Sequence, residues 1–374
     1  MPVYLRSIGF SILLIGILEG VAEATAGLSK GYFGNLSDIR QKRVPFIRWG
    51  YTLSAFSKPM MAVFTFPVWI FLARTLDRFG KGIRTSARDA MLSDETTAEH
   101  KGKVFGFHRS MDTIGAAIGP VFALIFLYFY PQQYKWLFLI AFLPGIIAIL
   151  LTFFLKDKSN PLQTSPPLRP SPAGEGMGVG LKVGFFSYFR YWGKSTQGYK
   201  LLVIGLLIFT LFNSSDAFLL LALKNQGMSD THMIGFYIFY NLVYAALSYP
   251  IGAIADKIGL KTMLITGLLI FSGVYFFFGF AASIMAFGSL FLFYGIYAAS
   301  TEGISKALIS NMASKSDTAT AIGFYNSFAS IFTLLASSLA GLLWYSIGPK
   351  AMFMISGIGV FCVSAYLVVV LWRK

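Results

Sequence analysis

Cysteine, histidine and charge are all scarce in this chain. Of 374 residues one is cysteine, three are histidine and only 13% are charged. The lone Cys362 excludes an intramolecular disulfide. Paired CxxC motifs, an HExxH pair and a GxxxxGK[ST] loop are also missing, so the residues support no metal site, no cofactor and no nucleotide-driven or other enzyme chemistry. Carboxylates are fewest of the charged groups, 16 against 31 Lys and Arg, for a net charge of +15. That excess falls in loops and along one helix face, and it is not read as a nucleic-acid surface.

What the chain has in quantity is apolar length. Hydrophobic residues make up 56%, and stretches long enough to span a bilayer occur at 7–34, 46–66, 68–93, 103–130, 134–155, 200–223, 232–255, 261–281, 284–311, 319–346 and 350–372. The expectation is an all-α integral membrane protein of the cytoplasmic membrane with eleven helices. Its basic loops are 38–43, 100–103, 156–200, 256–261 and the stretch around Lys315, together with the final Arg-Lys. Loops rich in Lys and Arg stay in the cytoplasm, which places the C-terminus inside and, by counting, Met1 outside.

An internal repeat accounts for the odd number. "VFGFHRS" (104–110) matches "AIGFYNS" (321–327), and "DAMLSD" (89–94) matches "KALISN" (306–311), both 217 residues apart. At 218 residues "GNLSD" (34–38) matches "GAIAD" (252–256), and "LRSIGFS" (5–11) matches "LKNQGMS" (223–229). The last match sets Met1 against Leu219, so the counterpart of most of the 200–223 span is absent. Two six-helix bundles related by a pseudo-two-fold axis are expected, the first lacking its first helix. The bundles cover 1–156 and 200–374. Between them, 157–199 is a linker whose Pro-, Gly- and Ser-rich part (160–180) is unfolded and whose aromatic and basic part (181–194) lies in the headgroup region.

One span is unlike the others. In "LDRFGKGIRTSARDA" (76–90), Arg78, Lys81, Arg84 and Arg88, with Arg74 just before them, fall on one stripe of a helix, with Asp77 and Asp89 at its edges. An unpaired Arg at mid-membrane costs about 3 kcal/mol or more, so the stripe faces a watery cavity or its own counter-charges. His108, Arg109 and Asp112 share an arc of the next span, and Glu19 and Glu23 share a face of the first. Two adjacent carboxylates in a low-dielectric site discourage each other's ionisation, which makes Glu19 and Glu23 candidates for proton exchange beside Asp112 and His108. The second half offers Asn213, Asp216, Glu302, Lys306 and Asn326. Gly115 and Gly119, followed by Pro120, form a GxxxG pair expected to pack closely on another helix.

These residues also carry a resemblance. "GNLSDIRQKR" (34–43) resembles the loop signature G-x-L-x-D-x-x-G-[RK]-[RK] of the major facilitator superfamily, with Gln41 in place of its second glycine, and "GAIADKIGLK" (252–261) resembles a degenerate copy. "RFGKGIRTS" (78–86) resembles that family's fourth-helix signature, and "GAAIGP" (115–120) its fifth-helix antiporter signature. The longer "DRFGKGIRTSARDAML" resembles a bacterial permease subgroup. The resemblance implies a gate on the cytoplasmic side at the loop carrying Gly34, Asp38, Lys42 and Arg43 and its copy at Asp256. Independently of it, Arg84, Arg88 and Asp89 read as an ion-pair cluster that holds the cytoplasmic end shut, with Arg84 also a candidate for the substrate.

The expected function is secondary active transport of a small organic solute, anionic or amphiphilic, by alternating access, coupled to protons and directed outward. A monomer embedded in lipid suffices for this. The rival readings are a non-functional truncated transporter and a lipid-handling membrane protein or membrane enzyme.

Overall fold

The computed structural model describes residues 4–5, 8–157 and 184–372. Met1 and the 160–180 linker, for which the sequence raised expectations, lie outside the described residues. The helices are α1 (Ile12–Ile39), α2 (Val44–Val63), α3 (Pro67–Asp94), α4 (Lys101–Phe129), α5 (Tyr134–Thr152), the short α6 (Arg190–Lys194), α7 (Gln197–Phe212), α8 (Ala217–Asn225), α9 (Asp230–Ile258), α10 (Leu260–Phe278), α11 (Ile284–Met312), α12 (Thr318–Ile347) and α13 (Pro349–Trp372). Hydroxyl caps set several starts: Ser11, Thr196, Ser229 and Ser283 each accept the backbone N–H three residues on. Ser11 is why α1 begins five residues later than its apolar run. Eight spans are long and apolar enough to cross a membrane, α7 and α8 counting as one. The charged stripe keeps α3 out of that set.

The expected helix over 200–223 is broken. Asn213, Ser214, Ser215 and Asp216 form an unwound turn between α7 and α8. Four consecutive side chains that can bond backbone or neighbours compete with the helical ladder there.

Within the N-terminal half α3 packs on α1 and α2, and α5 on α2; within the C-terminal half α11 packs on α9 and α10, and α13 on α10 and α7. The halves meet along two seams, α4 with α9 and α1 with α12. The sequence repeat reappears as symmetry between these seams. Ser110 donates to the Ala245 carbonyl at 2.5 Å, and its repeat mate Ser327 donates to the Gly27 carbonyl at 2.7 Å. A Cβ on Gly252 would collide with the Gly102 carbonyl, and one on its mate Gly34 with the Ala319 carbonyl. The backbones approach this closely only because these positions lack side chains.

Both seams lie at the end that carries the basic loops. Towards the other end the α4–α9 seam parts: no residue of 114–129 on α4 or of 231–239 on α9 is buried. Gly115 and Gly119 sit on that parted stretch, where an added Cβ would meet nothing within 4 Å, so the close packing expected of them is not found in this conformation. Pro120 lies there too, exposed within α4.

Two further features separate the halves. Counterparts α5 and α13 differ in cover: α5 buries Thr152 alone, whereas α13 buries nine residues, several against α7, where Gly205 abuts Leu367 and Tyr366. Nothing equivalent to α7 covers α5 among the described residues. The segment 184–195, part of the stretch expected in the headgroup region, straps the α1–α12 seam at the basic-loop end. Phe185 stacks on Tyr32 at 5.1 Å and Asn35 donates to Ser187 at 2.7 Å, while Trp192 stacks on Phe324 at 5.5 Å. Tyr188 is fully buried between Gly31 and Ser327.

If this packing holds the basic-loop end shut, Gly34→Ala and Gly252→Ala each weaken it by about 1–3 kcal/mol of overpacking. In a Cys362→Ser background, labelling of a Ser248→Cys reporter by a water-soluble maleimide rises in both variants. Gly115→Ala, placed in open space, leaves labelling at background.

Candidate functional site

The stripe on α3 lies between the halves, and its counter-charges come from α1 and from α3 itself, while α2 adds a further cation, Lys58. Arg74 pairs with Glu19 at 2.7 Å and with Asp77 at 3.3 Å, Asp77 also holds Lys58 at 2.6 Å, and Arg78 pairs with Glu23 at 3.0 Å. Glu19 and Glu23 therefore do not act on one another as a carboxylate pair. Each has its own Arg one turn further along α3, a correction to the expectation from their spacing. Four-residue spacing puts two groups on one face and says nothing about what stands opposite.

Three cations are left over. Lys30, Lys81 and Arg84 have no carboxylate within 4 Å among the described residues. Lys30 reaches only the Ser330 hydroxyl at 3.5 Å. Arg84 donates to Ser54 at 2.7 Å and lies over the Tyr51 ring at 4.5 Å. The Nε atoms of Arg78 and Arg84 are buried without an acceptor. Lys81 is exposed to the space between the halves. Lys30 is close enough to Lys81 and Lys306 to feel their charge. An anion entering here would meet unspent donors and relieve repulsion among like charges.

On the basic-loop side of this group, charges bridge the halves. Asp89, with no exposed side-chain surface, accepts from Arg88 at 3.1 Å and from Lys306 of α11 at 2.7 Å. Asp89 and Lys306 are repeat mates, so this pair sits where the pseudo-two-fold axis passes. Arg109 of α4 pairs with Asp112 at 3.3 Å and with Glu302 of α11 at 3.0 Å, and donates to the Tyr244 hydroxyl. His108 makes no hydrogen bond among the described residues and borders a groove shared with Lys103, Phe107 and Tyr249.

Further out, Asp38 accepts from the backbone N–H and the hydroxyl of Thr320, both at 2.6 Å, and is paired with Arg43. Its mate Asp256 accepts from the N–H groups of Gly102 and Lys103 at 2.7 and 2.8 Å. Each carboxylate thus closes the N-terminus of a helix in the opposite half, where orphan N–H groups and the helix dipole favour negative charge. Gln41 takes the left-handed φ of 51° that a glycine would adopt freely, and its side chain donates to the Asp38 carbonyl. Lys42 is exposed and touches none of these groups.

The C-terminal wall is tyrosine. Asp216, in the unwound turn, accepts from Tyr240 at 2.5 Å and Tyr294 at 2.7 Å; Asn213 donates to Tyr297 at 3.1 Å, and Ser214 bonds Tyr275 at 3.2 Å. The Asn213 Oδ1 and Asn326 Nδ2 atoms are buried without partners. Sequence reasoning missed Tyr240, Tyr244 and Tyr294. A tyrosine is a polar handle inside a span, and six within the spans 232–255 and 284–311 were the available signal.

A sequence profile of the Major Facilitator Superfamily matches residues 1–240 and 219–374. An uncharacterized MFS-type transporter of Methanocaldococcus jannaschii is 31% identical over 360 residues, covering 95% of this chain and 85% of the relative. Among solved structures, the human organic anion transporter MFSD10 superposes with a TM-score of 0.76 at 15% identity, over 97% of this chain and 87% of that one. FucP, the E. coli fucose:proton symporter, superposes in its outward conformation with a TM-score of 0.77 at 11% identity, over 99% and 93%.

Removing one partner of a buried ion pair costs about 3–5 kcal/mol. Asp89→Asn accordingly lowers the melting temperature of purified protein, and Lys306→Met costs less in that background than in the wild type. Additive losses in this double-mutant cycle contradict a direct pair.

Proposed function

The chain belongs to the Major Facilitator Superfamily, and on that premise we propose that it carries a small organic anion, free or as the head of an amphiphile, by proton-coupled alternating access. Membrane solute transport is the work of the family. The anionic substrate is our reading, and the observation that carries it is the set of three uncompensated cations, Lys30, Lys81 and Arg84, beside two orphan guanidinium N–H groups. By the distribution of Lys and Arg, the closed end is cytoplasmic and this conformation faces outward from the cytoplasmic membrane, with the C-terminus inside. Export is the proposed direction, supported by the "GAAIGP" run of α4.

Transport then follows from differential binding. An anion seated on Lys30, Lys81 and Arg84 neutralises charges from α1 and α3 that otherwise repel one another, and so permits the outer ends of the halves to close over it. Closing the outer end strains the seams at the other, and the Asp38 and Asp256 caps give way to water. In thermal-shift assays of purified protein, a panel of mono- and dicarboxylates should include members that raise the melting temperature of the wild type but not of Lys81→Ala/Arg84→Ala. Ligand at about a hundred times its Kd stabilises by about 2.7 kcal/mol. Stabilisation by organic cations and by no anion contradicts the reading.

We further propose that a helix equivalent to α7 covers α5, completing a six-helix N-terminal bundle. The bareness of α5 beside the cover of α13 supports this. A nitroxide at Leu143, now 58% exposed, should be shielded from lipid-phase oxygen in protein purified from its native host; full oxygen access there would remove the proposed helix.

A further inference from the structure

We infer that Asp216, at the break between α7 and α8, is the residue that takes up and releases the coupling proton. The inference deepens the proton-coupled reading above and rests on it. Each of the other carboxylates around the central space has a cation: Glu19 and Asp77 have Arg74, Glu23 has Arg78, Asp89 has Arg88 and Lys306, and Asp112 and Glu302 share Arg109. Protonating any of these strands a positive charge in a space walled by apolar helices. Asp216 has no Lys, Arg or His nitrogen within 4 Å among the described residues; its partners are the hydroxyls of Tyr240 and Tyr294. Protonating it breaks no ion pair.

The surroundings suit a carboxyl that changes state. The titratable groups facing it are Tyr237 and Tyr240 from α9, Tyr275 from α10, and Tyr294 and Tyr297 from α11, all of them hydroxyls that can turn from donating to accepting. When Asp216 takes a proton on one oxygen, that oxygen becomes a donor and one tyrosine hydroxyl must turn away. The buried Asn213 Oδ1, in the same unwound turn, is an acceptor with no donor. Asp216 is half-buried and its neighbour Ser215 is exposed, which gives the proton an aqueous route in. Discontinuous helices supply coupling sites in transporters because their free backbone groups and polar turns sit at mid-membrane.

Asp216 is also placed to act on the gate. Its two bonds tie the break to α9 and α11. Lower on these same helices, Ser248, Gly252 and Asp256 form the α4–α9 seam, and Glu302 and Lys306 reach across to α4 and α3. Neutralising Asp216 breaks or reverses one of these two bonds and so loosens the tether between the break and one of the gate-bearing helices.

The test needs no substrate. Infrared difference spectra of wild-type protein in liposomes, taken as pH is lowered from alkaline to mildly acidic, should show a protonated-carboxyl C=O band. The band should vanish in Asp216→Asn and persist in Glu19→Gln, Glu23→Gln and Asp112→Asn. Tyr240→Phe and Tyr294→Phe keep the carboxyl but remove a donor to its ionised form, so the band should appear at higher pH in each. These variants decide the matter if Asp216→Asn does not fold, since an unchanged band position overturns the assignment. A band that survives in Asp216→Asn, or is lost in Glu23→Gln, removes Asp216 and leaves proton coupling standing. No band in the wild type removes both.

Discussion

Two carboxylates, each closing a helix of the other half, are the contact on which the remainder of the arrangement depends. Asp38 caps α12 and Asp256 caps α4, and the caps are possible only where Gly34 and Gly252 let backbones touch. Hydrogen bonds to a charged group contribute about 1.5–3 kcal/mol each. On opening, water replaces much of that, so the closed state is favoured without being locked. With the seams drawn together at one end, the two halves splay at the other, and the charged stripe of α3 is left facing water instead of lipid. The bilayer tolerates so many charges because of this splay.

The same geometry separates two kinds of charge. Those nearest the gate are fully matched and join the halves, as with Asp89 between Arg88 and Lys306. Those deeper in the open space are mismatched in opposite senses: spare cations on the N-terminal wall and one uncompensated carboxylate, Asp216, on the tyrosine wall. A cavity with an excess of cations on one side and a protonatable group on the other can hold an anion and a proton in turn. The strap at 184–195, touching both α1 and α12, fits only while their seam is closed.

Much of the fold was legible in the residues. The repeat of 217 to 218 residues became a symmetry of contacts, in which Ser110 and Ser327 make the same bond on opposite seams. The stripe on α3 was read as facing a watery cavity or its own counter-charges, because an unpaired mid-membrane Arg is costly, and Arg74 and Arg78 do meet Glu19, Asp77 and Glu23. Pairings were not legible. Periodicity gives a face and not a neighbour, so Glu19 and Glu23 looked coupled when each belongs to an Arg of α3. The break at 213–216 was hidden within an apolar run of ordinary length, and its polar residues were read as helical. Gly115 and Gly119 looked like packing glycines, but whether they pack depends on conformation, which no local pattern records. That the strap's aromatics fill a seam was not legible, because composition shows no partner.

Reciprocal opening of the two ends is the central claim, and pulsed electron resonance distances test it most directly. Spin labels at Thr97 and Lys315 span the basic-loop end, and labels at Thr65 and Ala282 span the other, all in a Cys362→Ser background. The account predicts two populations at each end, exchanging in opposite senses as pH falls: the first pair lengthens in the fraction of molecules in which the second shortens. Distances that change together, or at one end alone, contradict it.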